Sequence, residues 1–284
     1  MNTSTPQTPA EIFARPGTRR AQRVHTAPVV DVSLRSPHML RVTLAGPDLA
    51  DLGSTGPADH VRVFFPGADP WSREPTHEPD RGPVIHRDFT PLPVRGEEAA
   101  VALDFALHPA PGPASGWAAA AQVGMSLSLA GPRGSRGVPV GAEELWLIGD
   151  ESALPSISRW IAESDRDVRV RVVASLRAPE DLDYLGAWSE DDRVQLSWHP
   201  QAEDLLTAVE ALGPVGPRTF VFAAAEAAAV RPVRRHLRRT LGLPPEQVAV
   251  SGYWRTGTAG YDHHLPLDPD DPDPRPGRPA GATR

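Results

Sequence analysis

The feature that most limits the fold is a change of rhythm near residue 140. Before it, short segments rich in β-branched residues follow one another: Val24 to Leu34, Met39 to Leu44, His60 to Phe65 and Val101 to Leu107. Val61, Val63 and Phe65 alternate with His60, Arg62 and Phe64, the period-two pattern of a strand with one buried face. Turn formers separate these segments at Ser36-Pro37, at Gly46-Pro47-Asp48 and between Gly53 and Pro57. Closely spaced strands of this kind predict an antiparallel barrel. A short helix is expected from Ser115 and a further strand over Met125 to Ala130. After Gly141 strands and helices alternate. Leu145 to Ile148, Val168 to Val173, Val194 to Trp198, Thr219 to Ala223 and Val248 to Tyr253 read as strands. Ala153 to Ala162, Ala202 to Leu212 and Ala225 to Leu241 read as helices. That alternation predicts a parallel sheet covered by helices, so the expected fold class is β-barrel plus α/β.

The expected organisation is an irregular lead-in over 1–22, a barrel domain over 23–137, an α/β domain over 138–257 and a disordered tail over 258–284. Residues 66–84 lack periodicity and read as a long surface loop, and from Asp262 on the chain is mostly Asp, Pro and Gly. His263-His264 beside Asp262 fall in that tail, and no metal site is expected there. Arg231, Arg234, Arg235, Arg238 and Arg239 lie on one predicted helix and read as a solvated face.

The absence of cysteine among the 284 residues excludes disulfides, thiolate nucleophiles and Cys-ligated clusters. Any redox chemistry must then be carried by an organic cofactor. The net charge of −7 argues against general nucleic-acid binding. All 29 basic residues are arginine, so a basic side chain that grips an anion grips it with a planar fork. Met1 to Ala10 is polar, and no apolar run approaches the roughly 20 residues of a membrane helix. A cytoplasmic protein without a membrane or nucleic-acid partner is expected.

Four runs carry chemistry. Arg87-Asp88-Phe89-Thr90 puts an arginine and an aromatic on one strand face, with a hydroxyl at its end. Leu103-Asp104-Phe105-Ala106-Leu107-His108 leads to Gly112-Pro113-Ala114-Ser115-Gly116-Trp117-Ala118, a strand delivering the chain to a Gly-Pro turn and a helix start, where N–H groups and the dipole favour anions. Leu145 to Pro155 contains Gly149-Asp150-Glu151-Ser152-Ala153, a strand, turn and helix without the G-x-G-x-x-G fingerprint. Val250 to Gly257 places Tyr253, Trp254 and Arg255 after the last strand.

In this order the runs resemble the siderophore-interacting family of the ferredoxin-reductase superfamily, over about residues 23–257. The resemblance implies an FAD-binding barrel followed by an NAD(P)H-binding domain. It also implies an activity: hydride from NADPH or NADH passes to FAD, and electrons pass on to a ferric siderophore, with no catalytic side chain required. It assigns Arg87, Asp88, Phe89, Thr90, Asp104, His108, Gly112, Pro113, Ala114, Ser115 and Trp117 to the flavin, with Trp117 walling the adenine or ribose side. Asp150, Glu151, Ser152 and Ala153 go to the nicotinamide nucleotide. Ser152 is expected as N-cap or phosphate donor, and Asp150 and Glu151 are expected to face nicotinamide, ribose or solvent. Tyr253 or Trp254 covers the isoalloxazine, and Arg255 anchors an anionic substrate or the domain interface. Arg177, after the second strand of the α/β domain, hints at NADPH. Phe89 stands where the family has Tyr, Leu92 where it often has a second Arg, and Gly116 where it is often bulky or basic. A flavin reductase with another acceptor and a non-catalytic siderophore- or flavin-binding module stay open. The expected state is a monomer.

Overall fold

The computed structural model describes residues 7–65, 85–200 and 205–270. The chain opens with a one-turn helix, α1 (Pro9–Ile12), held by a reciprocal cap in which the Glu11 carboxylate accepts the Thr8 N–H at 2.7 Å and Thr8 Oγ1 accepts the Glu11 N–H. After β1 (Gly17–Arg19) come β2 (Val24–Ser36), β3 (Met39–Ala45), β4 (Val61–Phe65), β5 (Ile85–Phe89), β6 (Leu92–Val94) and β7 (Glu97–Ala106). Helix α2 (Pro113–Ala119), β8 (Ser126–Ala130) and β9 (Gly134–Arg136) complete this half.

Among the described residues seven strands order as β5-β4-β8-β2-β3-β7-β6, every pair antiparallel. β5 and β6 are the two ends of that order, yet only Thr90 and Pro91 separate them in the chain. Two residues cannot cross a flat sheet whose strands lie about 4.8 Å apart, so the sheet curls until its edges approach, as a barrel does. β2 lets it curl by changing partner along its length, pairing with β8 through Pro28 and with β3 from Val29 onward. Val42, Leu44, Val63, Leu103, Phe105 and Leu129 alternate inward to fill the interior.

The second half runs β10 (Glu144–Asp150), α3 (Leu154–Glu163), β11 (Arg169–Ser175), β12 (Val194–His199), α4 (Leu205–Ala211), β13 (Thr219–Glu226), α5 (Ala227–Arg235) and β14 (Val248–Trp254). Its five strands order as β12-β11-β10-β13-β14, all parallel. Strand order reverses between β10 and β13, which opens a crevice at their carboxyl ends.

Three expectations are corrected. The helix expected from Ala225 starts two residues later, because β13 runs on to Glu226 with every residue buried. Burial between layers there outweighs the helix propensity of the alanines. That helix also widens into a π turn over His236–Thr240.

The lead-in is not irregular. β1 pairs with β9, Phe13 is only 4% exposed in the core of the parallel domain, and the Arg15 guanidinium lies 5.0 Å from the Trp160 ring centroid.

Residues 258–270 are not disordered either. Leu267 and Asp268 are buried, and Asp268 takes both N–H arms of Arg235 at 2.8 and 3.0 Å. The arginines read as a solvated face on α5 thus hold this segment, Arg231 also donating to the Leu267 carbonyl at 2.9 Å. The loop read at 66–84, the start of the helix expected from Ala202 and the tail beyond 270 lie outside the described residues.

Buried carboxylates join the two halves. Asp104 on β7 takes a two-armed grip from Arg41 of β3 at 2.8 and 2.7 Å and the hydroxyl of Tyr184 from the parallel domain at 2.5 Å. Burial, with the neighbouring Asp104 charge, pushes the Tyr184 phenol well up, so it stays a donor. Asp181 reaches the other way, accepting from Ser36 Oγ at 2.8 Å and from the His38 N–H at 3.0 Å. Asp104, assigned by resemblance to the flavin, is therefore committed to the domain seam.

The Asp104→Ala variant should lose roughly 3 kcal/mol of stability, because Arg41 and Tyr184 are left facing an unpaired site, while Tyr184→Phe loses about 1 kcal/mol. Urea denaturation of the cofactor-free protein checks this. A residue serving only the flavin would leave that midpoint where it was.

Candidate functional site

The site residues gather where the barrel edge meets the carboxyl ends of the parallel strands. Thr90, just past β5, Ser156 in the first turn of α3 and Tyr253 near the end of β14 form a row of hydroxyls, 3.0 Å from Thr90 to Ser156 and 3.1 Å from Ser156 to Tyr253. Burial pushes the Tyr253 phenol up to about 12, so it is neutral at physiological pH. Sequence reasoning found Thr90 and Tyr253 but missed Ser156, whose role is set by contacts across domains rather than by a motif.

On the barrel side, period two sends Arg87 and Phe89 one way and Asp88 the other. Phe89 packs with its centroid 4.5 Å from that of Phe105. The Arg87 guanidinium donates to the His86 carbonyl at 2.6 Å and pairs with no carboxylate among the described residues. Helix α2 packs against β4, β5 and β7. Its N-cap is Gly112, which has no side chain to satisfy the opening N–H groups, and a Cβ added there would meet nothing within 4 Å. A guanidinium that pairs with no carboxylate among the described residues, and an uncapped helix start on an element packed against the same strand, are each complementary to phosphate oxygens, so these residues fit the flavin nucleotide.

Three flavin assignments are corrected or qualified here. Trp117 is buried in the barrel core against Phe65 and Phe105, because its place on α2 faces the interior, so it walls no ligand. Asp88 turns outward to Arg62, at 3.0 and 3.2 Å, and to His263 Nδ1 at 3.3 Å. His108 folds its ring onto the Ala110 carbonyl at 2.9 Å. Pro113 and Ala114 form the first turn of α2, and Ser115 there donates to the Gly112 carbonyl at 3.3 Å.

On the parallel side Asp150 is the hub. It is buried at the end of β10 and accepts from the Ser152 N–H at 2.9 Å, the Glu226 N–H at 2.9 Å and the Trp254 indole at 2.8 Å. Burial raises its pKa, and the Glu151 charge adds to the rise against the lowering from its donors. This corrects two expectations: Asp150 is buried rather than facing ligand or solvent, and Asp150, not Ser152, caps the turn, with the Ser152 hydroxyl also turned to it. Gly149 is required just before it, since a Cβ would lie 2.5 Å from Ala153 Cβ and 2.7 Å from the Ala224 carbonyl oxygen. Ala153 itself is fully buried. Glu151 accepts the Arg177 N–H at 2.7 Å, and Arg177 reaches the Leu107 carbonyl at 2.8 Å, from one domain to the other. Trp254 is 44% exposed at the carboxyl end of β14, and Arg255 is exposed beside it.

A second cluster escaped the sequence reading. His60, just before β4, meets His263, ring centroids 4.6 Å apart, and His264 at 5.4 Å. Burial, with the His263 ring next, brings the His60 pKa down to about 4, so this imidazole is neutral at pH 7. The His263-His264 pair was the only sequence signal of it.

Comparisons with known proteins agree with this layout. The family model described as "Siderophore-interacting FAD-binding domain" matches residues 28–136, and that described as "Siderophore-interacting protein" matches residues 142–257. The crystal structure of a siderophore utilization protein from T. fusca superposes with a TM-score of 0.75 at 31% identity, covering 88% of this chain and 99% of that one. The NADPH-dependent ferric-chelate reductase of Escherichia coli (strain K12) is 29% identical over 263 residues, 88% of this chain and 98% of that protein. The chain also matches the mycobactin import ATP-binding/permease protein IrtA of Mycolicibacterium thermoresistibile at 30% identity over 84% of its length, but spans about a quarter (25%) of that longer protein.

Asp150→Asn turns an amide N–H₂ toward groups that are themselves donors. The variant should lose about 2–3 kcal/mol in urea denaturation. A loss under about 0.5 kcal/mol would mean that the carboxylate does not organise the crevice.

Proposed function

Because the chain belongs to the siderophore-interacting protein family, we propose that it is an FAD-dependent NAD(P)H oxidoreductase that reduces ferric siderophores and releases ferrous iron. The observation that carries this reading is the hydroxyl row from Thr90 through Ser156 to Tyr253. It puts a barrel strand end, a helix start and the last parallel strand at one point between a flavin-type barrel and a nucleotide-type crevice.

When bound, FAD supplies the change from two-electron to one-electron chemistry, taking a hydride and giving electrons singly. The chain's own residues have simpler tasks. Arg87 and the opening turn of α2, Gly112 to Ser115, would hold the flavin diphosphate through a two-armed guanidinium and backbone N–H groups. Phe89 offers an aromatic face at the end of β5, and the Thr90 hydroxyl a hydrogen-bonding group beside it. Asp150 does not meet phosphate. It fixes the ends of β10 and β13 and the Trp254 indole, and so shapes the crevice that receives NADPH or NADH. Trp254 stands at the carboxyl end of β14, where an aromatic can cover the cofactor edge, and Arg255 beside it can meet an anionic iron chelate. Arg177 follows the end of β11, the second parallel strand in the chain, where a guanidinium favours a 2′-phosphate. No side chain is asked to act as acid or base. Iron leaves because hard oxygen donors hold Fe(II) less tightly than Fe(III). A cytoplasmic monomer goes with this reading. No helix among the described residues is long and apolar enough to cross a membrane.

The purified protein should show flavin absorption that bleaches on anaerobic addition of NADPH or NADH. Arg87→Ala should weaken FAD binding by about 10–100-fold in a fluorescence titration, the loss of one charge-assisted grip, with little change in apoprotein stability. A colourless protein that does not reconstitute with FAD would contradict the reading.

A further inference from the structure

The segment after β14 brings together groups that the sequence keeps far apart. Gly260 passes Arg87, where an added Cβ would lie 3.5 Å from a guanidinium nitrogen. His263 and His264 then settle against His60, and Leu267 and Asp268 return to α5. One ring nitrogen from each of the three histidines lies within 4.8 Å of the other two. The His263 and His264 rings are 4.0 Å apart, and no hydrogen bond joins the three among the described residues. Three imidazoles so placed gain little from one another, but each carries a nitrogen lone pair when neutral.

We propose that His60, His263 and His264 form a binding site for a divalent first-row transition-metal ion, which latches residues 258–264 onto the barrel edge. Imidazole is a good ligand for ions of this class, and three protein ligands leave a fourth position for water. Zinc–nitrogen bonds of about 2.0–2.1 Å in a tetrahedron place ligand atoms about 3.3 Å apart, so the rings must close by roughly 1–1.5 Å. Small side-chain rotations in an exposed segment supply that. Asp88, 3.3 Å from His263 Nδ1, is placed as the outer carboxylate that orients a ligating imidazole and leaves its Nε2 free. Arg62 and Arg133 bring positive charge to the neighbourhood, and Asp88 and Asp262 offset it. The ligands come from two distant stretches of chain, so an ion there closes a loop between the domains and holds the segment beside Arg87. The site stands on this geometry and not on the redox reading.

The test is calorimetric titration of Zn²⁺ into the full-length protein after dialysis against a chelator, with amide exchange of residues 258–264 measured with and without the ion. One Zn²⁺ per chain is expected, weakened at least about 100-fold in His60→Ala and in His264→Ala, and about 10–100-fold in Asp88→Asn. Zn²⁺ should also slow exchange of the segment in the unsubstituted protein and leave it unchanged in His264→Ala, an exposed position whose replacement spares the core. The proposal is overturned if no Zn²⁺ binds, if binding is equally tight in the His60→Ala and His264→Ala variants, or if exchange of the segment does not respond.

Discussion

The two-armed pair between Arg41 and Asp104, closed from the other domain by the Tyr184 hydroxyl, is the contact on which the placement of the two sheets depends. Asp104 is almost wholly removed from water, and a carboxylate there is tolerable only while its partners stay in place. That condition fixes the barrel strand β7 against the parallel domain to within hydrogen-bond tolerance. Asp181 adds a second tie in the opposite direction, through Ser36 and His38, and Arg159 a third, from α3 to Ser54 and the Pro91 carbonyl. The candidate site is split between domains, Arg87, Phe89 and Thr90 on one side and Ser156, Tyr253 and Trp254 on the other. Its geometry is therefore only as good as this seam.

The terminal segments reinforce the same arrangement. Phe13 plugs the core of the parallel domain while β1, a few residues on, pairs with β9 at the end of the barrel half. At the other end Asp268 is held by α5 while His263 lies against Asp88 of β5. Each of these segments thus spans both halves, one by apolar burial and strand pairing, the other by charge and edge-on imidazole contacts.

Much of the fold was legible because it rests on local periodicity. The alternation of Val61, Val63 and Phe65 and the strand–helix rhythm after Gly141 report directly on which faces are buried. The motif runs also picked out Thr90 and Tyr253, which the structure joins through Ser156. What periodicity does not carry is which long-range partner a polar residue finds. Asp104 and Asp88 sit in motif runs, yet their partners, Tyr184 in one case and His263 in the other, are supplied by distant chain. The composition of 258–270 reads as disorder because Asp and Pro dominate it, and two residues, Leu267 and Asp268, suffice to dock it. Trp117 was misassigned for a related reason: a motif gives its position on α2, but not that this face of the helix turns into the barrel.

The central claim is that electrons cross from a nicotinamide nucleotide to chelated iron through a flavin held at this seam. The most direct test is an anaerobic single-turnover experiment: limiting NADPH is added to the FAD-loaded protein, a ferric siderophore follows, and released ferrous iron is captured by a coloured ferrous chelator. The account predicts that the flavin colour lost on adding NADPH returns with the siderophore, with about two ferrous ions captured per NADPH, since one hydride carries two electrons. Flavin that bleaches and then stays bleached across a panel of ferric siderophores, with no ferrous iron captured, would contradict it.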